Sequence, residues 1–325
     1  MTAVAHDVRR RSAAGGLALA LLSAVSFGLS GALASGLIVA GWSPGAAVSV
    51  RILLAAGVLL WPALRALDGR WSLLARNLPT LVGYGLLAVA GAQLCYFYAV
   101  AHLQVGVALL IEYTAPVAVV AWLWLRRGER PGVLMLAGAG VAAVGLVLVL
   151  DLVSGADVNL VGALWALGAM VGAATYFVVS ADETNGLPPL VLAAGGLCVA
   201  AVALLVAAAV GVLPMAVASV SPTYAGRAVP WWLPVLALGL VTAALAYTTG
   251  IAAGRRLGSR LASFVALSEV LAALVFAWLL LDQVPRTVQL AGGALVVAGV
   301  VLVKLAEPTS APTSPKASLS GRPAA

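Results

Sequence analysis

The stretch Trp124–Val149, WLRRGERPGVLMLAGAGVAAVGLVLV, returns 154 residues later as Trp278–Val303, WLLLDQVPRTVQLAGGALVVAGVVLV. Trp124-Leu125 falls on Trp278-Leu279, Pro131 on Pro285, Leu136-Ala137-Gly138 on Leu290-Ala291-Gly292, and Gly145 on Gly299. In a chain this rich in Ala, Leu and Val, matches of those residues carry little weight. Trp, Pro and Gly repeating at one fixed offset carry more. Each copy reads as the end of one apolar span, a short turn, and a second apolar span.

Outward from this pair, the whole chain has the same texture. Of its 325 residues 63% are hydrophobic and 9% charged, against roughly 25% charged in a soluble domain. No water-facing surface accommodates that excess, whereas a bilayer does. Continuous apolar runs, rather than short alternating ones, exclude a transmembrane barrel. Gly (35) is abundant, as close helix approach in lipid requires.

Spans of roughly 17–25 apolar residues are predicted near 17–40, 45–64, 78–100, 104–125, 131–151, 158–180, 188–212, 231–253, 258–281 and 286–305. The fold expected is therefore an all-α polytopic membrane protein with ten transmembrane helices, built as two inverted five-helix repeats. Its parts are a basic N-terminal segment (1–16), repeat one (17–151), repeat two (158–305) and a Pro/Ser/Thr-rich disordered tail (306–325). Arg9-Arg10-Arg11 followed by an apolar stretch and Ala32-Leu33-Ala34 mimics a signal peptide. The run exceeds a usual signal core and another span follows at once, so retention is expected.

With the N-terminus inside, 15 of the 18 Lys and Arg residues fall in cytoplasmic segments. Only Arg227 and Arg286 lie outside, and Arg51 lies within a span. This bias places both termini in the cytoplasm and reads the net charge of +7 as topology, not as a nucleic-acid surface. Five spans per repeat give the second copy the opposite orientation. Alternating-access carriers are built this way, with substrate bound near the midplane between the halves.

Three ionisable residues lie deep within spans: Arg51, Glu112 and Glu269. Each costs ~2.5–3.5 kcal/mol or more at mid-membrane. At ~1.5 Å per residue, Arg51 and Glu112 are matched in depth, which permits an ion pair, a static clip between helices, an Arg that snorkels to the outer headgroups, or recognition of an anionic or zwitterionic group. Glu269 has no cation at its depth in sequence. It reads as a proton carrier, as a ligand for an amino group, or as a neutral acid bonded to a neighbouring carbonyl or hydroxyl. Further candidates lie along helix faces: Ser23, Ser26 and Ser30; Gln93, Tyr96 and Tyr98; Tyr113; Gly168, Gly172 and Tyr176; Thr242, Tyr247 and Thr249. Such faces serve tight packing as readily as cavities. Pro116, one turn from Glu112, is the expected hinge.

Over 17–305 the chain resembles the EamA-type transporters of the drug/metabolite transporter superfamily. The matching stretches are Ser49–Ala56, Tyr113-Thr114-Ala115-Pro116-Val117 leading to Gly128-Glu129-Arg130-Pro131, and Leu267-Ser268-Glu269-Val270 leading to Asp282-Gln283-Val284-Pro285. The family's Glu-Pro pair reads Ala115-Pro116 in one half and Glu269-Val270 in the other. Its Gly-Glu reads Gly128-Glu129 and Asp282-Gln283. The resemblance implies export of amino acids or related small metabolites. It also implies a cavity walled by spans one, three, four, six, eight and nine, with five and ten peripheral.

The partners expected are a small-molecule substrate, the lipid bilayer and, if transport is coupled, H+. The sequence leaves homodimer formation open. No cofactor is expected, since neither a phosphate-binding Gly-rich loop nor a metal or nucleophile motif is present. Cys95 and Cys198 read as small apolar residues. The rival readings are a membrane-embedded enzyme acting on a lipid or isoprenoid, a multidrug or xenobiotic exporter, and a channel.

Overall fold

The computed structural model describes residues 2–100, 102, 108, 111–149 and 159–306. The start of the fourth predicted span, the junction at 151–158 and the tail from 307 lie outside the described residues, as do the side chains of Arg9, Arg10 and Arg11.

The helices are α1 (Thr2–Val39), α2 (Pro44–Leu67), the short α3 (Trp71–Arg76), α4, α5 (Ala115–Arg127), α6 (Val133–Val149), α7 (Leu160–Ala181), α8 (Pro189–Ala209), α9, α10 (Ser268–Leu281) and α11 (Thr287–Ala306). α4 runs from Leu78–Gly83 through a π-helical stretch, Tyr84–Gly91, into Ala92–Val100. α9 likewise runs from Trp232–Gly239 through a π stretch, Leu240–Leu245, into Ala246–Ala266. Among the described residues seven helices are long and apolar enough to cross a membrane, and three shorter apolar ones accompany them. The protein is an all-α, multi-pass membrane protein.

Helix ends follow local chemistry. Ser43 caps α2 by accepting from the Ala46 amide, with Pro44 in the first turn. Asn159 caps α7 by accepting from Val161 and Gly162. α5 and α10 both end on a left-handed residue, Gly128 (φ 71°) and Asp282 (φ 56°), and these stand 154 apart. Positive φ is what the position demands, and Asp is one of the few non-Gly residues that tolerates it. The Gly-Glu to Asp-Gln departure thus preserves the turn.

The 154-residue offset extends beyond the two spans in which sequence shows it. The π stretch of α4 maps onto that of α9, and Gly85 onto Gly239. A further correspondence lies in the fourth and ninth predicted spans, which are each broken. The chain turns at Tyr113-Thr114 before α5 and at Leu267 before α10, again 154 apart. The predicted span 258–281 is therefore two pieces, separated from the preceding span only by the non-helical Gly258 (φ 78°, ψ 161°).

α6 and α11 pack tightly and run antiparallel. A Cβ placed on Gly138 would lie 2.9 Å from Gly299 O, and one on Gly145 2.7 Å from Gly292 O. Repeat-equivalent glycines thus meet each other's partners across a pseudo-twofold axis, the arrangement that inverted repeats require. The main core joins α2, α4, α8 and α9, with Ile52, Tyr84, Leu192, Leu197, Leu204 and Ile251 fully buried.

One end of the bundle is capped by the connector between α8 and α9, which carries a hairpin of β1 (Thr223–Tyr224) and β2 (Arg227–Ala228). Trp42 Nε1 donates to Ala218 O (2.6 Å), Tyr224 Oη to Leu33 O (2.6 Å) and the Ala225 amide to Leu280 O (2.8 Å).

Candidate functional site

The two helix breaks explain how half-buried acids can face a cavity. A broken helix frees backbone groups and turns side chains inward, which is tolerated at membrane depth only where protein or a water-filled space receives them. Glu112 lies just before the first break and Glu269 just after the second, in the opening turn of α10. Both line one cavity of about 130 Å³. At ~10–15 Å³ per water on this measure, it holds about ten waters, the scale of a small metabolite. The cavity reaches from the acids towards Ala20, Ala253 and Ala262, away from the hairpin.

Gln93, Tyr113, Pro116, Tyr176 and Tyr247 line the same space. The Tyr113 hydroxyl lies beside the Glu269 carboxyl. Glu112 and Glu269 are close enough to feel each other's charge, and Glu269 also feels Arg51. Tyr176 is admitted by Gly250, where any Cβ would collide with its hydroxyl. Phe27 adds an apolar wall, edge-on to Tyr247 (5.1 Å, 80°) and Tyr176 (6.5 Å, 90°).

Arg51 is buried (6% exposed), but it forms no ion pair with Glu112. Its Nη1 donates to Ser30 Oγ (3.0 Å) and its Nη2 to Thr242 O (2.8 Å). Depth matching alone missed the direction of the side chain, which faces α1 and α9. Arg51, Ser30, Tyr96 and Gln93 line a second cavity of about 90 Å³ on the hairpin side of the first.

Six candidates stand apart from both cavities, among them Gly168, Gly172 and Thr242. Tyr98 stacks on Trp165 (4.9 Å) and donates to Val212 O (3.0 Å). Thr249 donates to Leu245 O (2.8 Å), and Ser26 is buried (4% exposed) away from the cavity walls. Pro116 sits in the first turn of α5, where its missing N–H costs nothing, so it starts a half-helix rather than kinking a continuous one. Phe27 escaped the sequence reading because an aromatic within an apolar run carries no signal of its own.

Two helical halves meeting about a cavity, with half-buried acids at paired helix breaks, define a membrane transporter. The family comparison agrees and is specific. The chain belongs to the EamA-like transporter family, whose model matches it twice, at 14–151 and 160–305. A relative from Streptantibioticus cattleyicolor, named "Probable terminal-alkyne amino-acid exporter", is 29% identical over 233 residues, 70% of this chain and 74% of its own length. A solved crystal structure covers 90% of this chain and 97% of its own with a TM-score of 0.72 at 21% identity, which shows the fold.

Proposed function

We propose that the protein is a secondary transporter exporting amino acids or closely related small metabolites by alternating access, with proton coupling through Glu269. The observation that carries this reading is the shared cavity of Glu112 and Glu269. One guanidinium, Arg51, lies within electrostatic reach of Glu269, while Glu112 feels the Glu269 charge. A second buried carboxylate without a counter-charge is costly. That cost is relieved either by a proton or by a cationic group, such as the ammonium of an amino acid. Proton and substrate thereby compete for one site, which is the minimal requirement for exchange. The relative's name supports an amino-acid substrate and outward direction, and Phe27, Ala24 and Phe177 supply a wall for an apolar side chain.

The arginine distribution supports a cytoplasmic-membrane location with both termini inside. In that orientation the larger cavity lies towards the cytoplasm, as loading for export requires. The repeats are taken as 17–151 and 158–305.

Mass spectrometry of medium and cytoplasm tests the reading, comparing cells that overproduce the wild type with cells that produce Glu269→Gln. A small set of amino acids enriched outside only with the wild type is the expected result. Equal metabolite profiles with both proteins inserted would overturn it.

A further inference from the structure

The two cavities share Gln93 as a common wall but do not merge. Between them stands Arg51, its Cζ 5.7 Å from the centroid of Phe27. Phe27 belongs to the inner cavity and Arg51 to the outer. We propose that Arg51 is the bolt of the gate at the hairpin end, and that the smaller cavity beyond it is the vestibule through which substrate leaves.

The geometry favours a bolt over a substrate ligand. Each Nη already donates one hydrogen bond, and Phe27 lies beside the guanidinium on the side of the inner cavity, whereas Nε is buried without a partner. From α2, the side chain reaches Ser30 on α1 and Thr242 on α9, so one residue clasps three helices. Its acceptors are a hydroxyl and a carbonyl, both neutral. Water can replace them when the helices part, so the clasp is reversible in a way that a buried ion pair is not.

The carbonyl that Arg51 grips lies inside the π stretch Leu240–Leu245. Such wide turns leave carbonyls poorly satisfied and cluster at functional sites. Release of Thr242 O lets this turn tighten towards α geometry. The following residues then rotate, including Tyr247 on the cavity wall. Gate opening and reshaping of the acid site are thereby one motion.

The Arg51 clasp has no repeat counterpart. Leu54 of α2 packs on Gly239 as Val199 of α8 packs on Gly85, which aligns α2 with α8 at an offset of 145. The counterpart of Arg51 is then Gly196, whose space is filled by the ring of Tyr84. The opposite end is held by different contacts, Arg260 Nη2 on Glu129 Oε2 (2.8 Å) and Arg255 Nη1 on Leu187 O, so release of Arg51 loosens the hairpin end alone.

This inference rests on passage of substrate through the acid cavity, but its test needs no substrate. With Cys95 and Cys198 replaced by Ser, Ala173→Cys places a thiol on the inner cavity wall. A membrane-impermeant methanethiosulfonate is then applied from either face. In an otherwise unaltered background, labelling from the hairpin face should be slow. Arg51→Ala should raise that rate about tenfold, a population shift of ~1.4 kcal/mol. Ser30→Ala, which removes one of two bonds, should raise it less, and Arg51→Lys should fall between. Unchanged hairpin-face labelling in both Arg51→Ala and Ser30→Ala would overturn the bolt. Should Arg51→Ala fail to insert, Ser30→Ala decides alone. Failure to find an amino-acid substrate would leave the labelling result standing.

Discussion

Replacing Gly145 by Ala tests the antiparallel seam on which the two halves close. The new Cβ would lie 2.6 Å from Val296 N and 2.7 Å from Gly292 O. Both are backbone atoms of α11, so no rotamer change relieves the clash. Ordinary contact begins near ~3.5 Å, so the helices must part by about 0.8 Å. A gap of that size forfeits a quarter to a half of the dispersion energy of each contact it opens. Overpacking of this kind costs ~1–3 kcal/mol, partly offset by the ~1 kcal/mol gained in helix propensity. Gly140, on the same helix with open space before it, isolates the propensity term. Gly140→Ala should be neutral or stabilising, and Ala294 already stands at its repeat-equivalent. Gly292→Ala should cost as much as Gly145→Ala, since its Cβ would meet Gly145 O and Val149 N at 2.6 Å. The assay is thermal unfolding in detergent, followed by tryptophan fluorescence. A fall of a few degrees is expected for Gly145→Ala and Gly292→Ala, at ~2–4 °C per kcal/mol. Equal Tm values for Gly140→Ala, Gly145→Ala and Gly292→Ala would refute the close backbone contact.

Two further outcomes follow from single hydrogen bonds. Tyr113→Phe removes the hydroxyl beside Glu269 while leaving the ring, so under the proposed proton coupling flux in reconstituted vesicles should fall by about tenfold, the scale of one ~1.5 kcal/mol hydrogen bond to a charged group. Unaltered flux across pH 6–8 would count against Tyr113 as the partner of Glu269. In the hairpin, burial pushes the Tyr224 phenol up to about 12 from 10.0. The unfolded chain therefore ionises first as pH rises, and the stabilisation present below pH 10 is lost between pH 10 and 12. Tyr224→Phe should abolish that sensitivity in limited proteolysis of the connector, at the cost of the bond to Leu33 O.

Much of the architecture was legible because lipid imposes simple rules. Apolar runs, arginine placement and the Trp, Pro and Gly repeat are each read one residue at a time, without knowing what lies opposite. The helix breaks were not legible, because Tyr113-Thr114 and Leu267 interrupt runs whose hydrophobicity does not change. The π stretches were equally silent, and they misled the face assignments. Thr242 and Thr249 share a face only if every residue turns 100°. The wide turn Leu240–Leu245 contains Thr242, and after it Tyr247 rather than Thr249 lines the cavity. Depth arithmetic failed for Arg51 for a related reason. Depth fixes height along the membrane normal, whereas partners are chosen by azimuth, and azimuth depends on the packing of α1, α2 and α9.

The pairing of a symmetric backbone with asymmetric polar residues is what gives such a protein a direction. Equivalent π stretches, equivalent breaks and the glycine seam make the two ends of the bundle structurally interchangeable, so closing one and opening the other costs little net packing. Were the side chains equally symmetric, both states would be equally populated and nothing would couple their exchange to a ligand. Glu112 and Glu269 are not repeat-equivalent: Ala266 and Ala115 hold the matching positions. Each acid instead approaches the midplane from the opposite side of an equivalent break. Both therefore enter one cavity, and the charge of that cavity changes with whatever occupies it. Arg51 against Gly196 adds the second asymmetry, a clasping guanidinium where the repeat counterpart has no side chain. A proton or an ammonium at the acids alters the field felt by Arg51, because Glu269 lies within its electrostatic reach. Under the proposed mechanism, loading of the site is thereby linked to the bolt by charge, and the repeated scaffold carries the motion.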